Sequence, residues 1–182
     1  MNTEDFVEKL RSLYRSEIVA HMKEEKFPKE IIDDYKHAFF FRSKSNHNVQ
    51  SHDPLIGLVE NYDGSKVHIG MISFDLAPFE DDDYFFFANF EGDLLGIDKN
   101  LREIRMIEYG SDNHILYNCA SNSDHFMTAI LMVADILQRC DYDRTFDCSN
   151  NTLILLAEEC SETAGGKDKY LEFYKMLLNC EM

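Results

Sequence analysis

Apolar residues recur at three- and four-residue spacing over the first forty positions of the chain. The spacing predicts a helix that Thr3 can cap and that extends to about Ile18. Pro28 has the position of the first residue of a second helix, whose apolar face ends near Phe39. The polar residues 43–53 are predicted to form a loop.

From residue 55 the apolar pattern changes to the alternation that is typical of β-strands. Six strands are predicted, over residues 55–62, 67–74, 84–90, 94–98, 103–109 and 114–119. Short turns join them in pairs: Asp63-Gly64, Glu91-Gly92-Asp93 and Gly110-Ser111-Asp112-Asn113. Because strands that follow each other through such short turns are antiparallel neighbours, the pattern predicts a meander rather than a series of βαβ units.

Helical spacing returns after residue 120. Ser121 or Ser123 can cap the first helix of this region, and two more helices are predicted over residues 152–162 and 167–178. The order of helices, then a strand meander, then helices is typical of an α+β fold. We therefore expect an α+β protein with a single domain over residues 1–182.

The charge balance narrows the possible partners. The 182 residues include 18 Lys and Arg against 34 Asp and Glu, a formal net charge of −16, and 45% of them are apolar. Such a chain buries a core but repels phosphate backbones and anionic lipid, so we expect no nucleic acid and no membrane as partner. The charge favours a basic macromolecule, although solubility alone also explains it. Without a signal-peptide pattern, a cytoplasmic location is predicted.

The motifs of known catalytic and metal sites are not matched. Gly165-Gly166-Lys167 is similar to the end of a phosphate-binding loop, but Ser161 occupies the first glycine position and Asp168 stands where Ser or Thr binds magnesium. Seven scattered histidines form no metal-binding pair, and five cysteines without a Cys-x-x-Cys pair argue against a disulfide framework and a zinc site. We expect no catalytic residues, no metal and no cofactor.

Residues 84–98 resemble the central signature of the SUKH superfamily, which includes the Smi/Knr-type fungal cell-wall regulators and many bacterial immunity proteins. This signature consists of an apolar strand, a short Gly-containing turn followed by Asp or Asn, and a second strand that ends in Asp. The Ser-rich residues 120–126 and the Phe27-Pro28 segment are also similar to the family. The resemblance covers residues 27–137, and residues 141–182 would be a C-terminal helical extension.

The resemblance implies a strongly curved antiparallel sheet of about six strands with helices packed around it, and no catalytic residues. It also implies an immunity protein, which binds and neutralises a cognate polymorphic toxin, often a nuclease. A regulatory or scaffolding protein of the Smi/Knr type is the alternative, and a metal-dependent enzyme that uses clustered carboxylates is a third hypothesis. We expect a basic partner to contact the acidic residues in or beside the turns of the meander: Glu80, Asp81, Asp82, Asp83, Glu91, Asp93 and Asp112.

Overall fold

The computed structural model describes residues 1–45 and 49–180, so His47 and the middle of the predicted 43–53 loop lie outside the described residues. The helices are α1 (Thr3–Ser12), α2 (Ser16–Glu24), α3 (Lys29–His37), α4 (Pro54–Asn61), α5 (Ser123–Tyr142), α6 (Asn150–Thr163) and α7 (Leu171–Leu177). The strands are β1 (Arg42–Ser43), β2 (Tyr62–Ile69), β3 (Ile72–Phe74), β4 (Phe79–Glu80), β5 (Tyr84–Phe90), β6 (Asp93–Asp98), β7 (Ile104–Ile107) and β8 (Ile115–Ala120). None of the helices in this part of the chain combines the length and the apolar composition that crossing a bilayer requires.

The strands form an antiparallel sheet in the order β1-β2-β3-β5-β6-β7-β8, and β4 pairs with β5 beside this path. The predicted α+β fold and the antiparallel pairing are confirmed. The described residues contain eight strands rather than about six. The prediction lacks β1 and β4, which are two-residue strands without an alternating pattern, and it takes residues 67–74 as one strand although they belong to two. It also includes residues 55–62, which mostly form a helix, so the net difference is two strands. Register shifts in the β5–β6 and β7–β8 pairs mark bulges, which bend a sheet.

The first predicted helix is in fact two helices, α1 and α2, which residues 13–15 separate. The break allows Ile18 of α2 to pack with α3 in a small apolar cluster apart from the main core. Asn2 caps α1 by accepting a hydrogen bond in the first turn (2.8 Å), so the prediction of Thr3 as the cap was wrong. The Thr3 hydroxyl donates instead to the carbonyl oxygen of Pro54 (2.7 Å). The second predicted helix is confirmed as α3.

Residues 55–62, predicted as a strand, form most of α4. Asp53 caps this helix because its Oδ1 atom accepts hydrogen bonds from the backbone N–H groups of Leu55 (3.0 Å) and Ile56 (3.2 Å), and Pro54 begins the first turn. The helix buries a short apolar run, and such a run does not distinguish a buried strand from a buried helix. The strand prediction was wrong because the Asp53 cap and Pro54 start a helix at this segment.

The first hairpin also reverses at a different place from the prediction. Asp63 and Gly64 lie within β2, where they pair with β1 and β3. The chain reverses instead at Gly70, which has a positive φ of 58° and lies between β2 and β3. Gly64 serves packing rather than turning, because a Cβ atom at this position would lie 2.5 Å from the ring of Phe41.

The main core lies between the sheet and the C-terminal helices. Phe87 of β5 packs against Phe126 of α5 with ring centroids 5.7 Å apart, and Phe90 packs against Phe173 of α7 at 5.9 Å. The three predicted C-terminal helices are confirmed as α5, α6 and α7. α6 packs against α5 and α7, and α7 packs against β8, so the C-terminal helices share one core with the sheet.

A disulfide joins two of the five cysteines. The spacing of the cysteines argued against a disulfide framework, and this single bond was not predicted. Cys140, near the end of α5, is bonded to Cys148 in the segment that precedes α6. The chain reverses between them through turns in which the carboxylates of Asp143 and Asp147 accept hydrogen bonds from backbone N–H groups two residues later. The spacing of the cysteines in the sequence does not reveal this reversal, which brings the two sulfur atoms together.

Candidate functional site

The seven acidic residues predicted to bind a partner lie in three segments: β4 with the turn before β5, the turn from β5 into the start of β6, and the β7–β8 loop. The Nδ2 atom of Asn113 donates a hydrogen bond to Asp83 Oδ2 (3.1 Å), and the backbone N–H of Tyr109 donates to Asp93 Oδ1 (3.0 Å). The β7–β8 loop, which also contains Asp112, therefore contacts both the segment before β5 and the β5–β6 turn. We call this surface the acidic rim, and its acidic members are Glu80, Asp81, Asp82, Asp83, Glu91, Asp93 and Asp112.

The fold itself uses some of these carboxylates. Asp81 Oδ1 accepts hydrogen bonds from the backbone N–H groups of Asp83 (2.8 Å) and Tyr84 (2.7 Å), which fixes the turn before β5. Glu80 forms an ion pair with Lys99 (2.9 Å). Three exposed acids make no ion pair and no side-chain hydrogen bond with any described residue: Asp82, Glu91 and Asp112. These three carboxylates are free to accept hydrogen bonds from cationic groups of another molecule.

Exposed aromatic rings lie among the acids of the rim. Phe79 is 45% exposed and stacks on Phe86 with ring centroids 4.8 Å apart, and Tyr109 is 71% exposed. Phe86 belongs to a small buried apolar cluster that is separate from the main core and lies beneath this surface: Tyr84, Phe86, Leu94 and Ile107. Neither Phe79 nor Tyr109 was predicted as a site residue, although each directly adjoins an acidic residue in the chain.

A second group of charges is paired and partly buried between the sheet and the segment before α7. Arg105 forms ion pairs with Asp98 (2.8 Å) and Glu103 (3.2 Å), and Glu103 also pairs with Lys169. Burial by itself raises the pKa of Glu103, but the hydrogen bonds from Lys169 and Arg105 outweigh burial, so the net pKa is lowered. Glu103 therefore holds the C-terminal region on the sheet, whereas Asp82, Glu91 and Asp112 of the rim make no such contact with a described residue.

A serine and a histidine meet at the beginning of α5. Ser121 Oγ lies 2.6 Å from His125 Nδ1, and a Cβ atom on Gly165 would overlap this hydroxyl. Asn122 caps α5 by accepting a hydrogen bond from the His125 backbone N–H (2.9 Å), so the prediction of Ser121 or Ser123 as the cap was wrong. A hydroxyl beside an imidazole is the first part of an activated nucleophile, but no described carboxylate orients His125. The pair packs the α6–α7 turn against α5.

The described residues offer no candidate metal centre, because no three His, Cys, Asp or Glu side chains among them gather closely enough to hold an ion. The unbonded buried thiols are also unreactive. Burial raises the pKa of Cys119 well above its usual value and raises that of Cys160 to about 12, so both thiols stay protonated at neutral pH. Both cysteines are buried.

No family model matches the chain, and no curated protein or solved structure matches it either. The resemblance to the SUKH superfamily therefore stays a prediction, as do the single domain and the cytoplasmic location.

Proposed function

We propose that this chain is a non-enzymatic immunity protein that binds and neutralises a basic, nuclease-type toxin through the acidic rim. One observation carries the proposal: three carboxylates without a partner among the described residues lie in the segments that form the rim, together with the exposed rings of Phe79 and Tyr109. Protein interfaces combine aromatic anchors with a polar periphery, so this surface fits a protein partner. The resemblance to the SUKH immunity proteins supports a toxin as that partner.

Charge complementarity favours a basic partner over a neutral one. The net charge of −16 attracts a cationic protein and raises its rate of encounter, within a screening length of about 8 Å at physiological ionic strength. After contact, the free carboxylates of the rim accept charge-assisted hydrogen bonds from Arg and Lys of the partner. A nuclease binds phosphates with the same kind of side chain, so a rim that occupies those groups would exclude the nucleic acid.

Co-expression with the product of the adjacent open reading frame tests the proposal. We expect a stable complex that survives purification and that restores the growth of cells producing the neighbouring protein. Association should slow as the salt concentration rises, because screening weakens the long-range attraction. A neighbouring protein that neither inhibits growth nor forms a complex would overturn the proposal.

A charge-matched pair of variants assigns the binding to the rim. The D82N/E91Q/D112N variant removes three rim charges that the described fold does not use, and E8Q/E24Q/E25Q removes three exposed charges on or beside α1 and α2. We expect the first variant to bind at least about 100-fold more weakly, since each lost charge-assisted bond costs about 1–2 kcal/mol. Equal weakening in the second variant would show that only the overall charge matters.

A regulatory or scaffolding protein of the Smi/Knr type is the second candidate function. The rim also supports this reading, because exposed aromatic rings and free carboxylates select a basic protein whatever that protein does. The growth assay separates the two candidates. A complex with a basic neighbour that is harmless to cells would favour regulation, whereas rescue of growth would favour immunity.

A further inference from the structure

A cationic cleft opens on a different part of this acidic protein. It has a volume of about 600 Å³ and lies between α2 and the end of α5. Three of the seven arginines of the chain line it: Arg15, Arg139 and Arg144. A cavity of this volume is in the range of small-molecule sites. We call it the cationic cleft.

The three guanidinium groups differ in the contacts that they make with other side chains. Arg139 lies over the ring of Phe146 at 3.9 Å and forms a long ion pair with Asp135 (3.8 Å), so its position is held from two sides. Arg15 and Arg144 form no ion pair with a described residue. Two exposed guanidinium groups are therefore free to donate to an anion, next to a third whose position is fixed.

Two acids, Glu17 and Asp143, also line the cleft, and Asp135 pairs with Arg139 from beside it. The Asp143 carboxylate already accepts hydrogen bonds from the backbone N–H and the hydroxyl of Thr145 (3.0 and 2.6 Å). In a chain of net charge −16, this cleft still offers an anionic ligand two guanidinium groups that form no ion pair with a described residue.

A buried and unpartnered acceptor also lines the cleft. Gln138 is 5% exposed, and its Nε2 atom donates to the carbonyl oxygen of Leu13 (2.6 Å) and to the hydroxyl of Tyr35 (3.0 Å). Its Oε1 atom has no hydrogen-bond partner among the described residues. Leaving a buried amide oxygen unpaired costs about 1–3 kcal/mol, so a ligand that supplies a donor would recover part of this free energy.

We propose that the cationic cleft binds a small phosphorylated molecule that also carries a hydrogen-bond donor. The phosphate is bound by Arg15 and Arg144 beside the fixed Arg139, because a guanidinium matches two phosphate oxygens at once. The donor pairs with Gln138 Oε1 at the buried part of the cleft. A free small molecule fits better than a macromolecule, because Gln138 Oε1 has almost no accessible surface and only a small group can reach it, once the Gln138 side chain shifts toward the cleft.

Calorimetric titration of the full chain at low ionic strength tests the site with three probes: inorganic phosphate, phosphoethanolamine and ethyl phosphate. We expect saturable binding of inorganic phosphate. Phosphoethanolamine, whose ammonium group is a donor, should bind more tightly than ethyl phosphate, which lacks one, by about tenfold. Equal affinity for these two would overturn the role of Gln138, and no saturable heat up to about 10 mM of any probe would overturn the site.

A matched pair of variants locates the binding. R15Q/R144Q removes the two unpaired arginines, and K9Q/K23Q makes the same change of charge on exposed positions of α1 and α2 outside the cleft. We expect the first variant to lose at least about tenfold in phosphate affinity and the second to lose less than about twofold. Equal losses would mean that phosphate responds to the overall charge, which would overturn the proposal. Circular dichroism spectra of both variants check that they are folded.

Discussion

The acidic rim and the cationic cleft are opposite kinds of surface on one chain. In the rim, free carboxylates and exposed rings stand over a small apolar cluster of the sheet, whereas in the cleft, arginines gather where two helices meet. The rim is open and fits a protein, and the cleft is concave and fits a small anion. The net charge of −16 fits the rim but not the cleft, because the fold sorts the charges locally.

The largest expected effect is on the free energy of unfolding, and it compares the rings that support the two surfaces. Phe86→Ala removes a 2% exposed ring beneath the rim and should lower the free energy of unfolding by about 3–5 kcal/mol, since it leaves a cavity among Tyr84, Phe79 and their neighbours. Tyr142→Ala in the cleft removes a ring that is 39% exposed and should cost about 1 kcal/mol. Urea denaturation of both variants gives the two values. Equal losses of unfolding free energy would mean that the ring beneath the rim stabilises the fold no more than the ring in the cleft.

The next effect acts on the cleft alone. Replacing both bonded cysteines, as C140S/C148S, should lower the free energy of unfolding by about 2.5 kcal/mol, because the bond restricts a short loop of the unfolded chain. The bond also spans the segment that carries Arg144, so phosphate affinity in the cleft should fall, while binding by the rim should not change. Reduction with dithiothreitol should have the same effects on the unmodified chain. A loss of rim binding instead would show that the two surfaces are coupled.

A third effect compares an acid that has partners with one that has none. Glu103→Gln weakens the hydrogen bonds from Lys169 and Arg105 and should cost about 1.5 kcal/mol at pH 7, whereas Asp82→Asn should cost almost nothing. The folded-state pKa of Glu103 is lowered, so its contribution is complete above the unfolded-state pKa and is lost as the pH falls through the folded-state value. Denaturation series over pH should therefore show the difference between the unmodified chain and Glu103→Gln shrinking in acid. A constant difference would contradict this account.

The smallest expected effect is the change in the free energy of unfolding when the three free carboxylates of the rim are neutralised. The D82N/E91Q/D112N variant should change the free energy of unfolding by less than about 0.5 kcal/mol, and in the direction of a small gain at low salt, because it reduces self-repulsion. Thermal denaturation at two salt concentrations measures it. A loss as large as that of Glu103→Gln would mean that these carboxylates have structural partners, and the binding result for the same variant would then need another explanation.

Most elements of the central sheet were predictable from the pattern of residues. The predicted strand over residues 84–90 coincides with β5, and the strand over 94–98 matches β6 within one residue, because both carry long apolar runs around the Glu91-Gly92 turn. That turn needs positive φ, which Gly92 adopts at 105°. Local chemistry was sufficient for this hairpin, whereas Asp63-Gly64, a turn signal between two apolar runs, lies within β2.

Prediction failed where two local signals compete. The segment after Asp53 has the apolar run of a strand and the cap and proline of a helix, and the helix prevails because α4 buries that run against the core. The break between α1 and α2 has a similar origin, since it lets α2 pack with α3. The Cys140–Cys148 bond depends on a loop reversal that spacing in the sequence does not encode.

The sequence by itself determined the α+β order of elements, the strongly acidic character and the seven acids of the rim, because these depend on residue type and short-range spacing. The tertiary structure decided which of those acids are free and which are paired, and it placed Phe79 and Tyr109 among them. It also forms the cationic cleft, whose arginines come from segments that are far apart in the chain. The physical reason is that charge pairing and concavity depend on distances between remote segments, and only packing of the core sets those distances.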